Sequence, residues 1–139
     1  MTQSTLENPS PLGIFRQFIV EQNGEHKDYF DIKGRALTTL TDIGRLLILS
    51  HKVKGITNTA ERFEKLAVLE PQNKELFLAC ASAAKTLLKF RIKSGIENDD
   101  NGRYLNIKNL KKEDKVKLKR CFKAISNAQE LIKMRFKAY

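Results

Sequence analysis

Six positions near the end of the chain, Leu118, Phe122, Ile125, Gln129, Ile132 and Phe136, recur at steps of four, three, four, three and four. Only an α-helix brings residues so spaced onto one face, and a seam of this length has to be buried against other helices. The remaining chain must therefore supply partners with apolar stripes of the same period. It does. Leu37, Leu40, Ile43 and Leu47, widened by Leu46 and Ile48, mark a helix starting at Ile32 or Ala36 and ending at His51. Phe63, Leu66 and Ala67 mark a second, opened by Asn58-Thr59-Ala60-Glu61, which has the spacing of a capping box, and closed before Pro71. A third runs from Gln72 to Lys93. It is apolar around much of its circumference, with Leu76, Phe77, Cys80, Ala81, Ala84, Leu87, Leu88 and Ile92, and so is expected at the centre of the fold. The seam itself lies on a helix from Glu113 to Phe136. A shorter helix is expected over Pro9 to Val20, where Ser10 caps, Pro11 fits the first turn, and Ile14, Phe15, Phe18 and Ile19 recur at helical spacing.

Between these stripes the chain is punctuated by turns. Asn23-Gly24 marks one, Lys54-Gly55 another, and Ser94-Gly95 the end of the long helix. Asn98-Asp99-Asp100-Asn101-Gly102 marks the clearest exposed loop. Gly44, inside the helical stripe, costs about 1 kcal/mol there, so a neighbouring helix is expected to approach it closely. No alternating strand pattern appears beyond a weak Phe18-Ile19-Val20. The expected fold is all-α: an up-and-down bundle of four main helices with a short extra helix at the N-terminus. Residues 1–8 are expected to be a disordered start, and residues 9–139 one domain, a size that supports a core without disulfides or metal.

Several function classes are disfavoured by what the sequence lacks. No apolar run approaches the roughly 20 residues of a membrane span, and no basic and apolar leader opens the chain, so a cytoplasmic protein is expected. Cys80 and Cys121 sit within apolar helical patterns and read as buried thiols in a reducing compartment. Only two histidines, His26 and His51, occur, with no Cys-x-x-Cys, so no metal site is expected. The glycines are scattered, with no phosphate loop and no nucleophile elbow. Asp99-Asp100 is the one close aspartate pair, and adjacent side chains in a turn diverge instead of converging on a metal. No catalytic residue and no cofactor are assigned.

The informative signal that remains is charge near the apolar stripes. Asp31 and Lys33 precede the first long helix, Asp42 and Arg45 lie within it, Arg62 follows the capping box, and Arg91 is in line with Cys80, Ala84 and Leu87. Such groups must be paired or reach a surface. Intramolecular Asp–Arg pairs that fix helix packing are one reading. A polar groove facing a ligand or partner domain is the other, and arginine suits either, because its planar fork binds carboxylate and phosphate alike.

The same residues carry a family resemblance. The string Phe30-Asp31-Ile32-Lys33-Gly34-Arg35-Ala36-Leu37, then Asp42 and Arg45, then Asn58-Thr59-Ala60-Glu61-Arg62, then Leu87-Leu88-Lys89-Phe90-Arg91-Ile92 resembles one bacterial domain. It is the C-terminal substrate-binding domain of signal-transduction nucleotidyltransferases, whose relatives combine cyclic-nucleotide-binding, CBS and catalytic domains. Leu118, Ala124, Ile125, Gln129, Leu131 and Arg135-Phe136 are similar to that domain's ending, so the likeness spans Leu12 to Phe136. Two stretches depart from the pattern. Ser94-Gly95 stands where relatives often carry a glutamine, and Arg103-Tyr104 followed by Ile107 where they tend to Asn-Tyr and a proline. The resemblance implies a non-catalytic recognition domain at the C-terminal part of a larger protein. Its partner would be a nucleotidyltransferase catalytic domain, in the same or a separate chain, and its substrate a protein or a nucleotide. Asp31, Lys33, Arg45, Arg62 and Arg91 are the candidate contact residues.

Two other functions compete with this one. The segment from Arg103 to Tyr139 carries +9 of the chain's net +10, and Lys108, Lys111, Lys112, Lys115 and Lys119 could track nucleic-acid phosphates. Against that, the segment has few aromatics to spare, since Phe122 and Phe136 are needed in the seam, and no recognition-helix motif appears. A structural or dimerising bundle is the third reading, which an apolar face left uncovered by the other helices would support.

Overall fold

Four helices form along the expected stripes: α1 (Thr38–Ser50), α2 (Thr59–Leu69), α3 (Lys74–Asn98) and α4 (Lys112–Arg135). The computed structural model describes residues 29–136. The disordered start over residues 1–8, the short helix over Pro9 to Val20 and the turn at Asn23-Gly24 lie outside the described residues. The all-α bundle expected from the stripes is what forms, joined by one small sheet.

That sheet was not legible as alternation. Strand β1 (Tyr29–Asp31) pairs antiparallel with β2 (Tyr104–Asn106), Phe30 opposite Leu105. Three residues per strand are too few for a period-two signal. Phe30 and Leu105 both point into the core, where the Phe30 ring lies 4.8 Å from that of Phe122 on α4. From β1 the chain enters α1 through one widened π turn, Lys33–Leu37.

The helices α1 and α2 run parallel. Thr41 and Thr59 meet through their hydroxyls at 3.1 Å near the starts of the two helices. His51 and Glu70 meet at 2.6 Å at their ends. Segment 51–58 therefore crosses back along the bundle, with Lys52 and Gly55 in the left-handed region at its bends. The alternation of an up-and-down bundle holds from α2 through α3 to α4. Between α1 and α2, Gly44 meets the edge of the Phe63 ring. A Cβ there would come to 3.2 Å from it, which is the close approach the glycine implied. Asn58 caps α2 as its sequence suggests, accepting from the Glu61 N–H at 3.1 Å, a bond worth about 1 kcal/mol.

The seam of α4 is buried as expected, with Leu118, Phe122, Ile125, Gln129 and Ile132 all inside. The third helix departs from expectation in two ways. It continues past Ser94-Gly95 to Asn98. Gly95 does not stop the helix because its missing side chain serves another purpose. A Cβ there would stand 2.8 Å from the carbonyl oxygen of Asp100, so the glycine lets the following loop fold back onto the helix. Asp99 supplies the left-handed cap instead. Nor is α3 enclosed on all sides. Phe77, Cys80, Ala81, Ala84 and Leu87 are buried, but Leu88 and Ile92 are 48% and 54% exposed.

Among the described residues, one buried side-chain group is left without a partner. The hydroxyl of Thr39, fully enclosed near the start of α1, makes no hydrogen bond. Because valine keeps the branched shape and removes the unsatisfied oxygen, Thr39→Val is expected to raise stability by up to about 1 kcal/mol. Chemical denaturation of the two proteins checks the sign.

Candidate functional site

The loop after α3 is clasped to the start of the fold. Asp31, 5% exposed, receives both Nε and Nη2 of Arg103, at 3.0 and 2.9 Å, and the backbone N–H of Gly34 at 2.8 Å. The Ile32 N–H donates to the Arg103 carbonyl at 2.9 Å, locking the same two segments through their backbones. Burial by itself would raise the Asp31 carboxyl. The Arg103 fork, the Gly34 N–H and the nearby Arg35 charge outweigh it and hold the group below its ordinary value. The Arg103 guanidinium also lies 5.3 Å from the centre of the Tyr104 ring.

Arg91 secures the other side of that loop. Its Nε donates to the Asn101 carbonyl at 3.0 Å. Within the loop, the Asp100 carboxylate accepts from the Gly102 N–H at 2.7 Å, and the Asn101 side chain accepts from the Arg103 N–H at 3.0 Å. These are the local bonds that Asx turns supply. Asp100 thus spends its carboxylate on a turn, as expected of a solvated loop.

A second ionic clasp closes the opposite end. Glu70, 4% exposed and just before Pro71, receives Nη1 and Nη2 of Arg135 at 2.9 and 2.6 Å. It also meets His51 Nε2 at 2.6 Å and the Asn73 amide at 3.0 Å. The Arg135 bonds, helped by those of His51 and Asn73, overcome burial and hold the Glu70 carboxyl down to about 2.

The five residues singled out by sequence therefore have different surroundings. Asp31 and Arg91 both hold the 99–103 loop, one through Arg103 and the other through Asn101. Asp31 does so through an Asp–Arg pair of the kind the packing reading anticipated, although its partner is an arginine that had stood out only as a departure from the family pattern. Arg91 instead bonds a backbone carbonyl. Lys33, Arg45 and Arg62 lie on the π turn, on α1 and on α2. Lys33 is exposed. Arg45 has a side chain 47% exposed and approaches only Asp42, one turn back, at 3.9 Å. Arg62 is half-buried, and its Nε donates to the Ile56 carbonyl at 2.8 Å in the crossing segment. The structure does not gather the five into one pocket. Arg103, Glu70 and Arg135, which make the strongest ionic contacts, were not among them.

Other chemistry is sparse. Burial pushes the thiol of Cys80 up to about 12 and that of Cys121 up to about 11, so both stay protonated and unreactive near neutral pH. Both are free. Among the described residues no three His, Cys, Asp or Glu side chains come together to hold a metal, and no helix is long and apolar enough to cross a membrane. Of the basic residues considered for nucleic acid, Lys108, Lys111, Lys112 and Lys119 are exposed and Lys115 is half-buried. A shallow cleft of about 250 Å³ opens between α3 and α4, lined by Tyr29, Phe90, Lys93, Asn106, Lys111 and Asp114 among others.

Comparison with known proteins supplies one match. The model of the family described as "Putative nucleotidyltransferase substrate binding domain" matches residues 1–136. No curated protein and no solved structure matches the chain.

Proposed function

The chain belongs to this family of nucleotidyltransferase substrate-binding domains, and on that premise we propose that it is a non-catalytic module that presents a substrate to a nucleotidyltransferase catalytic domain. The catalytic domain stands in the same chain or a separate one, and residues 9–139 act as one C-terminal unit beside it. The signal-transduction setting, with cyclic-nucleotide-binding domains elsewhere in the protein, is carried by the resemblance of the motifs. A cytoplasmic location fits two buried, unpaired thiols.

The observation that carries the recognition role is the division among the candidate residues. Asp31 is consumed by the clasp, and Arg91 spends its Nε on it. Lys33, Arg45 and Arg62 remain on the π turn, α1 and α2 with cationic groups available for contact. Arg62 is the best placed of these, since its Nε is fixed by Ile56 and its two Nη groups make no bond among the described residues. A guanidinium held by one edge and open at the other is suited to a phosphate or carboxylate.

Lys33→Glu combined with Arg45→Glu in the complete nucleotidyltransferase tests this. Both side chains are exposed, so the melting temperature should stay within a degree or two, while kcat/KM for nucleotide transfer falls about tenfold. Transfer at the unaltered rate would remove these residues from the contact face. Nucleic-acid binding through α4 has less support, because two of the clefts beside that helix place Asp114 among their lysines.

A further inference from the structure

The cleft between α3 and α4 does not end at its own walls. A second hollow, of about 320 Å³, adjoins it along the same pair of helices. Phe90, Lys93 and Asp114 line both, so the two form one groove, in the size range of small-molecule sites. The halves differ in chemistry. The second hollow has Lys89 and Lys93 on its α3 wall, Lys117 on its α4 wall, and a single acid, Asp114. Lys89 and Lys117 are exposed and make no ion pair among the described residues. Lys93 has only a long one, 4.0 Å to Glu97, between side chains 63% and 62% exposed, which is worth little. Such an excess of positive charge around one hollow is self-repelling, and an anion relieves it. The first cleft carries carboxamides instead. Asn98 donates its amide to the Ser94 carbonyl and hydroxyl, at 2.9 and 3.2 Å, which leaves its own oxygen unused. Asn106 accepts from the Lys108 N–H at 3.1 Å and keeps its amide. Asn109 is exposed, and its side chain makes no bond among the described residues. All three line the cleft, and together they offer an acceptor, a donor and a group that is both.

Nucleobase edges ask for that mixture. The Phe90 ring, half-buried where the two hollows meet, gives a base a face to stack on. We propose that this groove binds a single nucleoside phosphate. The base lies in the first cleft between Phe90 and the asparagines, and the phosphates lie among Lys89, Lys93 and Lys117. Asp114, shared by both hollows, then faces the sugar and accepts hydrogen bonds from the ribose hydroxyls, a role suited to a carboxylate. The same acid that opposes a run of strand phosphates therefore favours one nucleotide over a polymer. This site is built on α3, α4 and β2 with the turn after it, apart from Lys33, Arg45 and Arg62, so it stands or falls separately from the contact face.

Titration calorimetry of the full chain with each of the four ribonucleoside triphosphates tests the proposal, with circular dichroism confirming that each variant stays folded. At least one triphosphate is expected to bind saturably, one per chain. Its nucleoside alone and tripolyphosphate alone, each filling half of the groove, should bind about tenfold more weakly or worse. Lys89→Gln combined with Lys117→Gln, at two exposed positions, should weaken the triphosphate about tenfold, as loss of charged contacts does. Asn109→Ala should weaken the triphosphate several-fold and leave tripolyphosphate unchanged, and the 2′,3′-dideoxy form should bind several-fold more weakly than the ribonucleotide. No binding of any triphosphate at millimolar concentration overturns the proposal. So does tripolyphosphate that binds as tightly as the nucleotides, which would make the lysines a simple attraction for phosphate, or an affinity undiminished by the paired lysine substitutions. The measurement reads binding and not transfer, so a negative result strikes this groove alone and leaves the face at Lys33 and Arg45 standing.

Discussion

Gly102→Ala is expected to cost about 3–5 kcal/mol and to lower the melting temperature by roughly 10 °C or more. Two effects combine at this position. The backbone is in the left-handed region, φ +69, where any side chain is strained. A methyl group there would also overlap the carbonyl oxygen of Arg91, and it would approach the backbone nitrogen of Gly95 to 2.9 Å. These obstacles are backbone atoms of α3, so they do not turn aside as a flexible side chain would. The loop has to lift, taking with it the Asn101 carbonyl from Arg91 and the Arg103 fork from Asp31. Gly55→Ala separates the two effects, since φ there is +88 but nothing lies within 4 Å of the added atom. That variant should lose only about 1 kcal/mol, the cost of the left-handed backbone. Equal losses in the two variants, measured by thermal and urea unfolding, would show that the packing of the loop on α3 has no part in stability.

Acid should weaken the protein through Glu70, and Arg135→Met should remove most of that sensitivity. The carboxyl titrates near 2 in the fold against 4.5 ordinarily. A folded-state value below the unfolded one means that the stabilisation is complete above pH 4.5. It is lost as pH falls from there toward 2. The full span corresponds to about 3 kcal/mol. Without the Arg135 guanidinium the buried carboxylate keeps only His51 and Asn73, so at pH 7 the variant is expected to be less stable by about 2–4 kcal/mol. Its unfolding free energy should then change less between pH 5 and pH 3 than that of the native chain. An acid slope unaltered by Arg135→Met would assign the sensitivity to another carboxylate, with Asp31 the next to test.

What could be read ahead of the structure follows from the range over which each signal acts. The seam from Leu118 to Ile132, the cap at Asn58 and the close approach at Gly44 are local patterns, and each appears in place. The continuation of α3 beyond Gly95 was missed because a glycine inside a helix looks the same in sequence as a glycine ending one. Only the returning loop tells them apart. The exposed side of α3 was missed for a similar reason. A helix apolar around its circumference can be enclosed on every side or can keep a face for another molecule, and composition is blind to the difference. The ionic clasps are the clearest case. Asp31 had been singled out, but Arg103 is 72 residues away and Arg135 is 65 residues from Glu70. No periodicity relates such pairs. Arg103 could have been suspected from its departure from the family pattern, whereas nothing around Glu70 distinguishes it from an ordinary surface acid.

Those separations bear on how the molecule comes apart. One clasp ties the strand before α1 to the loop after α3, and the other ties the end of α2 to the last residue of α4. The sequence intervals they enclose overlap, so a cut or a fluctuation that frees α1 or α4 must also break a bond anchored in the middle of the chain. Partial melting from the ends is thereby discouraged, and the four helices are held to lose their structure together, in one cooperative step.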